Sequence, residues 1–245
     1  MQNTTELGRN RTGVQMSPAD TREMLKGMED MRPSTGDETA MAEIRTSYIR
    51  EAEPVGSVPV PANVKGMAKA SVDAMTGKRM HVLMDRLGER LAFERTGTRL
   101  YEALITKCEA AADPGANRRL DLLNRFRAEE AAHFKMLAQC IESMGGDPTS
   151  QTPTADVAGV ESSGLLQVIS DPKTSVVQSL HAILVAELTD NAGWDELIVL
   201  CQEMGETHLV QRFTEARDEE RLHLDQIRQW HEQATIEDAR MGGSS

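Results

Sequence analysis

The chain has 245 residues, enough for one large domain or two small ones, and its 3% aromatic content argues against the strand-rich cores of sandwiches and barrels. A formal net charge of −12 excludes the broad basic face that nucleic acid or an anionic membrane requires. Leu, Ala, Glu, Arg and Met, all good helix formers, are abundant beyond the Pro- and Gly-interrupted segments, so the expected class is all-α.

Residues 1–65 are polar and broken by Pro33, Pro54, Pro59 and Pro61. One amphipathic stretch, Pro18 to Met31, reads as a helix behind a Ser17 cap. The rest lacks the apolar content for a core and is expected to be an N-terminal arm, flexible or draped over the surface. MQNTTELGRNRTG holds no apolar signal-peptide core, and no apolar run approaches the ~20 residues that span a bilayer, so the expected location is the cytoplasm. The isolated Cys108, Cys140 and Cys201 fit that reducing compartment and read as small buried hydrophobes.

Residues 66–240 are expected to form a four-helix bundle. Helix one, from about Met80, places Leu83, Leu87, Leu91, Glu94, Tyr101, Leu104, Ile105 and Cys108 on one face and stops at Asp113-Pro114-Gly115. Helix two carries Leu120, Leu123, Phe126, Glu130, His133, Leu137, Ile141 and Met144 and ends at Gly145-Gly146. A polar linker with an apolar island, Leu165 to Ile169, follows. Helix three carries Leu180, Ile183, Leu184, Glu187, Trp194, Leu197, Ile198, Cys201 and Met204; helix four, after Gly205, carries Leu209, Phe213, Ala216, Glu220, His223, Ile227 and Trp230. The short turns make each pair an antiparallel hairpin. Helices of roughly 28 residues are about 42 Å long, and the linker is long enough to cross that length, giving one long crossover connection.

Six polar residues occupy positions where the helical period demands apolar ones: Glu94, Glu130, His133, Glu187, Glu220 and His223. Burying unpaired carboxylates costs several kcal/mol each, and a bound pair of cations removes that cost. Residues at i and i+3 share a helical face, so Glu130-x-x-His133 and Glu220-x-x-His223 each offer oxygen and nitrogen inward together. Asp113 lies 19 residues after Glu94 and 17 before Glu130; Gly205 lies 18 after Glu187 and 15 before Glu220. All six groups therefore meet at one level, to within about one turn of ~5.4 Å. His81, His181, His208 and His231 fit neither phase nor height and read as surface or helix-end residues.

One Glu on each of two helices and Glu-x-x-His on each of the other two resembles the ferritin-like di-iron carboxylate superfamily, especially rubrerythrin and bacterioferritin, over roughly residues 80–235. The resemblance implies an all-α, ferritin-like bundle. In it Glu94 and Glu187 are terminal ligands, Glu130 and Glu220 bridge, and His133 and His223 each bind one metal. It implies two Fe ions, with Mn or a mixed Mn/Fe pair as alternatives. Tyr101 falls near where rubrerythrin has a tyrosine, and is otherwise a core tyrosine. Asp190 reads either as an extra carboxylate that ligates in one redox state, as in rubrerythrin-like sites, or as a solvated acid. Rubredoxin-type cysteines are missing, Ala131 stands where bacterioferritin has its haem methionine, and the sequence after Thr235 shows no fifth cage helix, which argues against an iron-storage shell. The expected function is a ferroxidase- or peroxidase-like oxidoreductase acting on dioxygen or hydrogen peroxide. Open alternatives are a di-iron oxygenase with an organic substrate, a di-manganese catalase and a metal-binding interaction module without turnover. A homodimer or larger homo-oligomer is expected, with no nucleic-acid or membrane partner.

Overall fold

The computed structural model describes residues 17–31, 39–64, 66–67, 71, 79–111 and 116–241. Among these, seven helices and no strands occur: α1 Pro18–Asp30, α2 Thr39–Glu51, α3 Met80–Ala110, α4 Ala116–Ser143, α5 Pro153–Ser170, α6 Val176–Met204 and α7 Thr207–Met241. None is long and apolar enough to cross a membrane. The opening residues 1–16, the breaker Asp113-Pro114-Gly115 and the final Gly-Ser residues lie outside the described set.

Two compact units divide at Pro54/Val55. The first contains α1 and α2. The α1 helix matches the expected stretch, but the Ser17 hydroxyl bonds the Asp20 carboxylate instead of capping the backbone. The α2 helix was not expected, because its scattered apolar residues build no core, and none of its residues is buried.

The second unit holds the expected bundle. Hairpins α3–α4 and α6–α7 pack most extensively, α3 also packs on α6, and α4 and α7 touch least. Ser175 and Gln178 form a reciprocal capping box at the start of α6, satisfying amides that the helix leaves unpaired. The α6–α7 turn rests on Gly205 in the left-handed region at φ 76°, which lets its N–H reach back to the Gln202 carbonyl. Residues leading into the bundle are tied to its α4 end, where the Ala62 N–H donates to the Gly145 carbonyl at 2.8 Å.

The crossover differs from expectation. Residues read as a polar linker form α5, which lies along α3 and also touches α6. Its buried side includes Ala155, Ala158, Ser162 and Ile169, small residues for the most part, so close backbone approach replaces the bulky stripe by which helices are usually read. The start of α5 is pinned by Asp85 of α3, whose carboxylate accepts from the Thr154 amide at 3.0 Å and from the Thr154 hydroxyl. A carboxylate at a helix start also opposes the helix dipole favourably. At the other end, the Lys107 ammonium donates to the carbonyls of Asp171 and Thr174, fixing the corner into α6.

The core falls into two apolar clusters. One includes Leu100, Leu104, Leu123, Phe126, Ile183 and Trp230. The other includes Leu83, Leu87, Leu137, Trp194, Leu197 and Phe213. All three cysteines are buried thiols outside any disulfide. Gly205→Ala should destabilise the protein by about 1 kcal/mol, since a Cβ is disfavoured in the left-handed region; a denaturant midpoint lowered at unchanged slope is the expected reading.

Candidate metal centre

A polar layer crosses the middle of the bundle. The phase that puts leucines inward on each helix also puts Glu94 (α3), Glu130 and His133 (α4), Glu187 (α6), and Glu220 and His223 (α7) inward, each at most 4% exposed. Two donor groups result, each with ligand atoms within 4.8 Å of one another: Glu94, His133 and Glu220; and Glu130, Glu187, Glu220 and His223. Glu220 belongs to both. Each hairpin contributes one lone Glu and one Glu-x-x-His.

The imidazoles are oriented from both sides. His133 Nδ1 faces Glu220 Oε1 at 2.8 Å and Glu94 Oε2 at 3.5 Å. His223 Nδ1 faces Glu220 Oε2 at 3.0 Å and Glu130 Oε1 at 3.7 Å. The outward nitrogens bond carboxylates on the opposite helix: His133 Nε2 to Glu219 Oε2 at 2.8 Å, and His223 Nε2 to Glu129 Oε2 at 2.7 Å. An Nε2–H donating outward leaves the Nδ1 lone pair directed into the layer, the tautomer that a metal ligand needs.

Eight donor atoms of the six residues are buried without a well-aligned hydrogen bond: both oxygens of Glu94 and of Glu220, Glu130 Oε2, Glu187 Oε2, His133 Nδ1 and His223 Nδ1, of which the two Nδ1 atoms and the Glu220 oxygens only face one another at 2.8 and 3.0 Å. Buried polar atoms ordinarily find partners, so this concentration of orphans fits a pair of cations. Gly97 of α3 is cut to the same purpose, because a Cβ there would sit 2.0 Å from Glu130 Oε2.

Burial, reinforced by the charges of Glu220 and Glu94, pushes Glu130 well above the carboxylate range. Burial and Glu220 likewise raise Glu187 to about 8 against the pull of His223 and Tyr101. Burial also disfavours charge on Glu220, but contacts with His133 and His223 overcome it and hold this acid at about 2. Burial opposes charge on the two imidazoles as well, yet the facing carboxylates lift His133 to about 11 and His223 to about 12.

Tyr101 lies at the edge of the layer, its buried hydroxyl donating to Glu187 Oε1. Burial and the Glu187 charge raise its pKa well above 10.0, so the phenol keeps its proton. Asp190 is buried in the same layer but belongs to neither donor group. Arg90, a fully enclosed guanidinium of α3, bonds Asp190 Oδ1 and donates to the Asp190 backbone carbonyl at 3.1 Å. Arg90 also lies 3.6 Å from Glu94 Oε1, over the rings of Phe93 and Trp194, in space that Gly193 leaves open. His81, His181 and His208 are exposed and His231 is partly buried, all apart from the layer.

Sequence reasoning did not single out Arg90, Gly97, Glu129 or Glu219. The acids carried a signal, since both motifs read Glu-Glu-x-x-His. Arg90 stands one turn before Glu94, but its Asp190 partner on α6 becomes visible only in three dimensions.

A family model described as "Ferritin-like domain" matches residues 84–235. A solved structure, that of ferritin like, diiron-carboxylate proteins from Bacillus anthracis str. Ames, is similar at 17% identity and a TM-score of 0.48, covering 61% of this chain and 94% of that one. No curated protein matches the chain.

Two outcomes follow from the geometry. Gly97→Ala should displace Glu130 and weaken metal binding by about tenfold or more, whereas Gly159→Ala, with nothing within 4 Å, should not; calorimetric titration distinguishes them. Glu187 is raised from 4.5 to about 8, so in metal-free protein its contribution to stability is full below pH 4.5 and is lost as pH rises to about 8. The raised imidazoles continue the decline to higher pH. The melting temperature of metal-free protein should fall between about pH 5 and 8.5, and bound metal, by replacing the protons, should flatten that slope.

Proposed function

Since the chain belongs to the ferritin-like family, we propose that its central layer holds two iron ions and serves as a ferroxidase- or peroxidase-like oxidoreductase acting on dioxygen or hydrogen peroxide. The observation that carries this reading is the set of eight orphaned oxygen and nitrogen donors gathered in two groups that share Glu220. Carboxylates with one imidazole in each group suit iron or manganese better than calcium or magnesium.

In this reading Glu94, Glu130, His133, Glu187, Glu220 and His223 would hold the metal pair, Glu220 alone belonging to both donor groups. Bound there, an iron pair supplies reversible ferrous–ferric chemistry, two electrons in all, matching reductive cleavage of an O–O bond. Tyr101 holds a proton at the edge of the layer, beside Glu187 Oε1. Asp190 is paired with Arg90, though burial still holds its carboxyl well above the usual carboxylate range. The apolar clusters above and below exclude water and strengthen each electrostatic contact within the layer.

The buried cysteines, none in a disulfide, agree with a reducing compartment such as the cytoplasm.

Iron loading followed by metal analysis and measurement of oxygen and peroxide uptake tests the reading. Two irons per chain are expected, with consumption of at least one oxidant. Glu220→Ala should abolish both metals and Glu94→Ala should remove one, because only Glu220 belongs to both groups. A wild-type chain that binds no iron, or consumes neither oxidant when loaded, refutes it.

A further inference from the structure

The layer is closed on most sides. Arg90, Tyr101, Phe126 and Trp194 pack against it, each at most 2% exposed. The exception is the side where α4 and α7 touch least. There the two imidazoles present their Nε2 atoms outward, and each is bonded to an acid that reaches water: the Glu219 side chain is 51% exposed and that of Glu129 is 28% exposed. From either carboxylate, the orphaned donors of the layer lie one imidazole ring away.

Orientation of the rings alone does not require so much exposed charge, since a backbone carbonyl or neutral amide accepts from Nε2–H as well. A half-exposed carboxylate is instead suited to take a hydrated divalent cation from solvent. Resting on the di-metal reading above, we propose that Glu129 and Glu219 are capture ligands at a loading port between α4 and α7. An entering cation would bind first to these acids and then pass, beside the adjoining ring, to the buried oxygens behind, and the protons it displaces would leave to solvent by the same acids. Arg125, 3.4 Å from Glu129 Oε1, holds the other oxygen of that acid, so Glu219 is the freer of the two.

Glu→Gln substitution separates capture from orientation, because a Gln side-chain oxygen still accepts from Nε2–H but carries no charge. Stopped-flow absorbance of cobalt(II) binding to the full chain gives the loading rate, and the endpoint gives the stoichiometry. Wild type is compared with Glu129→Gln, Glu219→Gln and the double variant. Glu102→Gln/Glu161→Gln, both exposed and outside the port, controls for net charge. The double variant should load about tenfold more slowly or worse, still reach two cobalts per chain, and Glu219→Gln should be the slower single. An unchanged rate, a slowing matched by the control, or lost stoichiometry at an unchanged rate overturns the proposal; in the last case the acids only orient the rings. A wild type that binds no cobalt sinks both the port and the di-metal reading, whereas normal binding with rate-neutral variants sinks the port alone.

Discussion

Five carboxyl groups lie together in one layer of an otherwise apolar bundle, and most other features of the second unit answer to that. Each acid costs several kcal/mol to bury unpaired, and mutual repulsion at short range adds to the cost. Asp190 is paired with Arg90, yet burial still raises its pKa well above the carboxylate range. The remaining four face two imidazoles and, where those do not suffice, retain protons, as the raised Glu130 and Glu187 show. Such a layer persists only if the leucine-rich clusters on both sides supply the stabilisation, which is why the bundle helices run long past the site in both directions.

Backbone economy around the layer serves the same end. Gly97 and Gly193 each remove a Cβ where a charged group must pass, Glu130 in one case and Arg90 in the other. Asn191 ties the layer's two helices in the second hairpin, its amide donating to the carbonyls of Glu187 at 2.9 Å and Glu220 at 3.1 Å. Substitutions at these places act on ligand position without touching a ligand, and so belong to the site as much as the acids do.

The four bundle helices were legible because their period is strong and their buried residues large; Leu83, Leu87, Phe126 and Phe213 all lie where the pattern put them. The six inward polar residues stood out as interruptions of that pattern. What escaped did so for physical reasons. The α5 helix packs through Ala155, Ala158 and Ser162, which scarcely differ from loop composition. The α2 helix buries nothing, so no periodicity was imposed on it. Contacts made across helices, Arg90 with Asp190 and Glu219 with His133, depend on rotation and height between elements that no single stretch of sequence encodes.

The division of the ligands between the hairpins gives bound metal a mechanical role as well. Neither α3–α4 nor α6–α7 holds a complete donor group, and Glu94 and Glu220, far apart along the chain, belong to the same one. A cation in that group is a rivet through the crossover, closing a loop of more than a hundred residues as a disulfide would, but reversibly and with a strength set by metal supply. Where metal is scarce the two halves would be joined at that level by the Arg90–Asp190 pair, the Tyr101–Glu187 bond and the two imidazole–carboxylate contacts, a looser fastening than a shared cation gives.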